Sequence, residues 1–350
     1  MPKKRSTLPK NFEELLTEGD LDRLKAVFDK CDLDARGGIF KQSALAFAEC
    51  PDELMRWLVR RGADLHAEDK YGETPLHSQA GHWRGKVEAL VTLGADVDRG
   101  VGSRKGTPLH RASRAGLIAN VRQLLAAGAS VDALDGEGRT PLERCFEHCT
   151  NANVDRAADV AAALLNAGAQ ATSRCRTSVT RIGETFEFHR AGFNPERVDQ
   201  ASRSLEELYR LFDVTPVPRR TMHDGTSPII ATAARWEDRF NELWELLVPS
   251  SGAAQTVQGE VVRLAGKIQR ELDGNGGANW DDDFHRMADA WLVLVGSGTP
   301  LGGADLAEAG NLVVDAKARG GDMERLCALA VSWVERNPDP VPLPPPLYAR

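Results

Sequence analysis

Three clusters in this 350-residue chain combine residue types that can do chemistry. His223-Asp224-Gly225 lies in a stretch rich in Pro and Gly, where functional residues tend to collect. A histidine beside a carboxylate can act as a general base. No nucleophile is identifiable next to it, and Asp-Gly is also ordinary turn chemistry. The segment 279–285, NWDDDFH, puts Asp281 and His285 one helical turn apart with Asp282 and Asp283 alongside, a spacing that suits metal ligation or acid/base work. The same residues read more simply as a helix start, with Asn279 as N-cap and carboxylates favoured by the dipole in the first turn. Glu184, Glu187 and His189 form the third cluster, best read as a solvated helix face.

Other reactive types are as unpromising. Cys31, Cys50, Cys145, Cys149, Cys175 and Cys327 include no CxxC pair. Cys145 and Cys149 share a helix face and are expected to be small buried side chains. The glycine-rich stretches 274–280 and 296–303 lack the spacing that cradles phosphate, and 250–260 is a very weak anion signal. The sequence therefore predicts no catalytic residue, no metal ligand and no cofactor.

Composition narrows the partner class. A formal net charge of −7 disfavours nucleic acid, which requires a basic stripe, and favours a basic protein partner. The longest apolar run, around Trp291–Val295, is far too short to span a bilayer. The start, MPKKRSTLPK, lacks the apolar stretch of a secretory signal, so a cytoplasmic location is expected.

The elements that must position any site emerge from self-similarity. Thr74-Pro75-Leu76-His77 recurs as Thr107-Pro108-Leu109-His110 and as Thr140-Pro141-Leu142-Glu143, at a constant 33-residue period. A second landmark recurs as Gly62-Ala63-Asp64, Gly94-Ala95-Asp96, Gly128-Ala129-Ser130 and Gly168-Ala169-Gln170. Thr can cap a first helix, Pro fits its first position, and the glycine can close a second helix in a left-handed conformation. Ser43-Ala44-Leu45-Ala46 stands where the first motif is due, and FEELLTEGDLDRLKAVFDKCDLDA before it reads as a capping helix pair. The segment 149–156, CTNANVDR, reads as an insertion between the two helices of the last unit.

This pattern resembles the ankyrin repeat, a β-turn followed by two antiparallel helices. The resemblance covers about the first half of the chain. It implies that His77 and His110 lock neighbouring units through backbone bonds rather than act in catalysis. The expected fold is all-α: about five helix-pair repeats over 11–172, after a disordered basic stretch at 1–10. A helical C-terminal domain follows at 173–337 and a Pro-rich extended tail at 338–350.

Beyond 172 the period disappears while amphipathic patterns continue, at 178–193 and at 204–212, the latter with Ser204 as cap and Glu207 at the capping-box position. Further helices are expected around Trp236–Leu247, Thr256–Leu272, Asp281–Val295, Ala304–Arg319 and Met323–Asn337. In the tail, Leu343, Leu347 and Tyr348 are expected to pack back on the domain. The segments 219–228, 247–260 and 276–284 resemble an uncharacterised domain that accompanies ankyrin repeats in bacterial proteins. Some such proteins are immunity proteins against secreted toxins.

The function so implied is protein binding without catalysis, with neutralisation of a basic bacterial toxin as its most concrete form. The alternative is an enzyme whose helical domain is catalytic and whose repeats select the substrate. Aligning the units on Thr-Pro-Leu places Lys70, Tyr71, Glu73, His82, Trp83, Ser103, Arg104, Arg114, Glu137, Arg139, Glu147 and His148 on the concave side. Tyr71 and Trp83 are the natural anchors, although Trp83 could instead cover a gap where its unit is one residue short.

Overall fold

The computed structural model describes residues 3–101 and 106–348. Ser103 and Arg104 lie outside them. The chain divides into two compact units, Met1–Phe186 with Pro195–Val217, and Glu187–Asn194 with Pro218–Arg350. The expected boundary at 172/173 therefore does not coincide with the break in packing.

The first unit is a stack of helix pairs. Helix α1 (Phe12–Glu18) begins the stack, and the outer helices are α2 (Leu21–Lys30), α3 (Asp52–Arg60), α5 (Val87–Thr92), α7 (Ile118–Ala126), α9 (Val154–Asn166) and α11 (Pro195–Phe212). The inner ones are α4 (Pro75–Ala80), α6 (Pro108–Arg114), α8 (Pro141–Glu147) and α10 (Ser173–His189). Leu76, Leu109 and Leu142 are buried between successive pairs, and Gly62, Gly94, Gly128 and Gly168 all have positive φ. Those glycines close their helices with backbone bonds that an L-residue would strain to make.

Two sets of side-chain bonds tie the stack together. His77 Nδ1 bonds the Thr74 hydroxyl at 2.7 Å while Nε2 reaches the Gly106 carbonyl at 2.9 Å. His110 accepts the Thr107 N–H at Nδ1 (3.0 Å), so its Nε2–H donates to the Arg139 carbonyl (2.9 Å). Burial pushes His77 down to about 4 and lowers His110 as well, which keeps both rings neutral. Glu143 takes the same place: its Oε2 caps the Thr140 N–H and its Oε1 accepts the Thr172 hydroxyl at 2.7 Å. The second set joins the residue after three of the four Gly-Ala landmarks to the preceding unit, as Asp64 N–H to Asp34, Ser130 N–H to Asp98 and Gln170 N–H to Asp132.

Thr172 itself caps α10 by accepting the Cys175 N–H at 3.3 Å. The pair α10–α11 thus continues the stack beyond the expected end, with Phe146 edge-on to Phe212 at 5.3 Å. The 33-residue motif is lost there because Ser173-Arg174-Cys175 replaces Pro-Leu-His. Ser204 does not start a helix: it lies inside α11, and Glu207 pairs with Arg210 instead of capping.

Three further details differ from the sequence reading. Residues 1–10 are not disordered throughout. Strand β1 (Arg5–Thr7) pairs in parallel with β2 (Cys31–Gly37), which pairs antiparallel with β3 (Gln42–Ser43), and Leu8 is buried. Ser43-Ala44-Leu45-Ala46 yields only a 3-10 turn at Ala44–Ala46, and the buried Gln79 amide donates to the Leu45 and Phe47 carbonyls beside it. The extra length in the last expected unit splits between the loop at 148–153 and α9, which has 13 residues where α7 has 9, about one added turn.

The second unit is built on α13 (Val257–Gln269), extended by a π-helical segment at Arg270–Gly274. Packed on α13 are α12 (Trp236–Leu247), α14 (Asp282–Val295) and α16 (Met323–Arg336), with α15 (Gly303–Lys317) against α14 and α16. Phe240, Trp291 and Trp333 join one apolar core. Gly266 lets α12 approach closely, since a Cβ there would overlap the Trp244 ring. Because α13 is buried on nearly every side, its polar residues need internal partners. Glu260 and Arg263 form a bidentate pair (2.8 and 2.6 Å), and Glu260 also accepts the Ala254 N–H and the Tyr348 hydroxyl. Burial pushes Glu260 up, but Arg263 and the Ala254 N–H outweigh it and hold the carboxyl below its usual range.

The tail is extended along 255–257, where Val257 N–H donates to the Val341 carbonyl and Leu343 N–H to the Gln255 carbonyl. Leu343 and Tyr348 pack on the core, whereas Leu347 does not and is 92% exposed. No helix among the described residues is long and apolar enough to cross a membrane.

Candidate protein-binding groove

The side of the first unit that carries α4, α6 and α8 is concave. It forms a groove of about 700 Å³ that runs from Glu13, Ile39 and Phe40 past Tyr71 and Glu73 to Arg111, Arg114 and Arg144. A second groove of about 540 Å³ is lined by Glu137, Arg139, Glu147 and residues of α10.

Of the twelve residues named above, Tyr71, Glu73, His82 and Arg114 line the first groove, and Glu137, Arg139 and Glu147 the second. His148 stands on the ridge, exposed, with Nε2 3.1 Å from the Arg114 guanidinium. Lys70 is tethered beside the groove: its ammonium donates to the Ile39 carbonyl at 2.7 Å and lies 5.5 and 4.9 Å from the Phe40 and Tyr71 ring centres.

Trp83 does not line either groove. It is 69% exposed, with His82 stacked on one side and the Arg84 guanidinium 4.3 Å from the ring. It also covers no gap. The shortened segment is held by Gln79, whose side-chain oxygen accepts the Lys86 N–H at 2.8 Å, and by Asn120, which donates to the Ala80 and His82 carbonyls. Gly85 is required there because a Cβ would overlap the Gln79 carbonyl.

The sequence reading missed Ile39 and Phe40, which sit 77% and 42% exposed on the turn between β2 and β3, next to Tyr71 at 58%. Their signal was two bulky apolar residues directly after Gly37-Gly38, a hairpin tip with no core to enter. Aligning units on Thr-Pro-Leu could not find them, since their unit lacks that motif.

Towards the other end the floor is a set of ion pairs. Arg144 is buried and bonds Asp135 Oδ2 at 2.6 Å and Glu147 at 2.8 Å. Burial works against both charges, yet these bonds raise Arg144, and the Arg139 N–H and Arg144 lower Asp135. Glu73 faces Arg111 at 3.4 Å, and burial nonetheless pushes its carboxyl up.

Several residues first considered for catalysis have local partners, while His223 Nε2 is buried without a hydrogen-bond partner among the described residues. His223 Nδ1 accepts the Gly225 N–H, and Asp224 accepts from Thr226 N–H, Ser227 N–H and the Ser227 hydroxyl, which hold it well below the usual carboxylate range. Asp281, rather than Asn279, is the N-cap of α14, accepting from the amides of Asp283 and Phe284. The Asn279 N–H is drawn away to Glu271. Glu187 forms a bidentate pair with Arg190. Among the described residues no group of three or more His, Cys, Asp or Glu could hold a metal ion, and all six cysteines are buried as free thiols.

Comparison with known proteins points to the same architecture. The family model for the ankyrin repeat matches residues 106–136. The cyclin-dependent kinase 4 inhibitor B of Rattus norvegicus is 30% identical over 111 residues, 32% of this chain and 85% of that protein. The palmitoyltransferase ZDHHC17 of Homo sapiens is 40% identical over 87 residues, 25% of this chain but 14% of the relative. A putative E3 ubiquitin-protein ligase, XBAT35 of Arabidopsis thaliana, is 37% identical over 94 residues, 26% of this chain and 20% of its own length. The chain thus spans a small part of the two enzymes.

Proposed function

The chain belongs to the ankyrin-repeat proteins, and from that premise we propose that it is a non-catalytic binding protein that grips a protein partner in the groove of its first unit. The observation that carries this reading is the groove itself, a rigid concave face edged by exposed Ile39, Phe40 and Tyr71. Its walls are fixed by the inter-unit bonds of His77 and His110, so little ordering entropy opposes association. Large exposed side chains on a fixed support are the usual origin of binding hot spots.

The mode of action proposed is occlusion, in which the bound partner loses access to its own site. The relative whose length is largely covered carries the name of a kinase inhibitor, which supports an inhibitory role. The finer reading is that the protein works in the cytoplasm and the occluded partner is a secreted toxin. It is supported by the resemblance of 219–228, 247–260 and 276–284 to a domain of bacterial ankyrin proteins.

The test is capture of a partner from the native host with the full chain, repeated with Tyr71→Ala and Arg111→Ala combined. The double variant is expected to weaken the captured complex by ~2–4 kcal/mol. Equal affinity in a correctly folded double variant removes the groove from the binding surface. A partner that is active when bound sinks the occlusion reading.

A further inference from the structure

The first groove is chemically unequal along its length. Among the charged residues that line it, Arg144 is held by Asp135, Arg111 faces Glu73, and Arg114 bonds His148. Asp69 turns its Oδ1 to the Tyr71 and Glu73 amides. Glu13 and Glu49 are exposed lining residues, and among the described residues neither has an ion-pair partner. Glu13 stands beside Gly38, at the hairpin from which Ile39 and Phe40 project, and Glu49 lines the same groove. A cation already lies against the Phe40 and Tyr71 rings, since the Lys70 ammonium is within 5.5 Å of both ring centres. Aromatic faces attract cations through their quadrupole, and an apolar stem gains by packing along them.

We propose that this end of the groove selects a protein segment in which a lysine or arginine stands beside a bulky apolar residue. The inference rests on the binding role proposed above and adds the chemistry of the partner. The apolar residue packs on Ile39, Phe40 and Tyr71, and the cationic head meets the carboxylates of Glu13 and Glu49. Further along, Arg144 and Arg111 are matched by the carboxylates of Asp135 and Glu73, whereas Arg114, bonded to His148, and Lys70, bonded to a backbone carbonyl, keep their charge and limit the basic segment to the neighbourhood of the two glutamates. An acidic segment would instead bring its carboxylates against two uncompensated ones, at a cost in both affinity and association rate.

A random peptide library displayed against the immobilised full chain tests this without knowledge of the natural partner. The expected result is enrichment of sequences with Lys or Arg next to an aromatic or large aliphatic residue. Their synthetic versions should bind about tenfold more weakly to Glu13→Gln with Glu49→Gln, and the loss should shrink as salt rises. Both glutamates are exposed, so an unchanged melting curve for the double variant ties the loss to recognition.

Peptides that depend on Tyr71 but lack a basic residue, or ignore the two substitutions, overturn the inference and leave the groove as a binding surface. Failure to select any peptide sensitive to Tyr71→Ala or Arg111→Ala overturns the groove reading itself. If the full chain self-associates and the glutamine variant releases the dimer, the occupant is a second copy and the proposal falls.

Discussion

The two units use polar side chains in opposite ways. In the repeat stack a series of them, buried at His77 and His110 and more open elsewhere, reaches to a neighbouring pair: Asp34 to Asp64, His77 to Gly106, Asp98 to Ser130, His110 to Arg139, Asp132 to Gln170 and Glu143 to Thr172. In the helical unit they converge on α13, where Gln258 bonds the Asn337 and Asp339 carbonyls and Glu260 gathers Ala254, Arg263 and Tyr348. The first arrangement distributes stability over nearest-neighbour interfaces, as expected of a solenoid. The second concentrates it in one helix. Damage should therefore stay local in the stack and spread through the other unit.

The harshest way to test that contrast is Arg263→Ala, which leaves Glu260 charged, buried and without its main partner. A loss of ~3–5 kcal/mol is expected in denaturant unfolding, with hydrogen exchange accelerated throughout α12, α14 and α16. A loss under ~1 kcal/mol would mean that water or the backbone compensates Glu260, and α13 would no longer be the organising element. Leu109→Ala should cost ~2–5 kcal/mol through a cavity between pairs. Its faster exchange should be confined to α4, α6 and α8, and a spread to α1 or α11 would contradict nearest-neighbour behaviour.

Acid sharpens the comparison. His77 has its pKa pushed down to about 4 by burial, from 6.5 in the free side chain. The unfolded chain therefore takes up a proton that the folded one refuses. The stabilisation is complete above pH 6.5 and lost as pH falls through 4, by about 3 kcal/mol in all. His77→Gln should flatten the dependence of the repeat transition between pH 6.5 and 4. An unchanged slope in that variant would assign the acid sensitivity elsewhere.

What the sequence disclosed tracks how local each feature is. The Thr-Pro-Leu period, the left-handed glycines and the helices from Trp236 onward depend on short-range preferences, and the structure has them in place. The histidine locks were implied by family resemblance, and the structure has them too. Features that depend on distant partners were not legible. Nothing near Arg5 announces a strand, because its partner Cys31 lies beyond two helices. Asn279 looked like a cap until Glu271 took its amide. In the candidate site, Tyr71, Glu73, His82 and Arg114 followed from alignment on the motif, whereas Ile39, Phe40, Glu13 and Glu49 precede the first copy of it and had no register to be read in.

The smallest expected effect concerns where the stack ends. Glu143 occupies the position of His77 and His110, but a carboxylate can only accept, so its neighbour must supply a donor. Thr172 does so through its hydroxyl, the same hydroxyl that accepts the Cys175 N–H at the start of α10. If α10–α11 is held as another member of the stack, Thr172→Val should cost ~0.5–1.5 kcal/mol and speed exchange of the first α10 amides. Thr172→Ser keeps the hydroxyl and should cost little. Combining Glu143→Gln with Thr172→Val then gives a coupling energy for the contact itself, free of the cap that Thr172 supplies on its own. A coupling near zero, with valine and serine equally tolerated, would show that α10–α11 is held by apolar contacts such as Phe146 on Phe212 rather than by the polar bond that joins the other pairs.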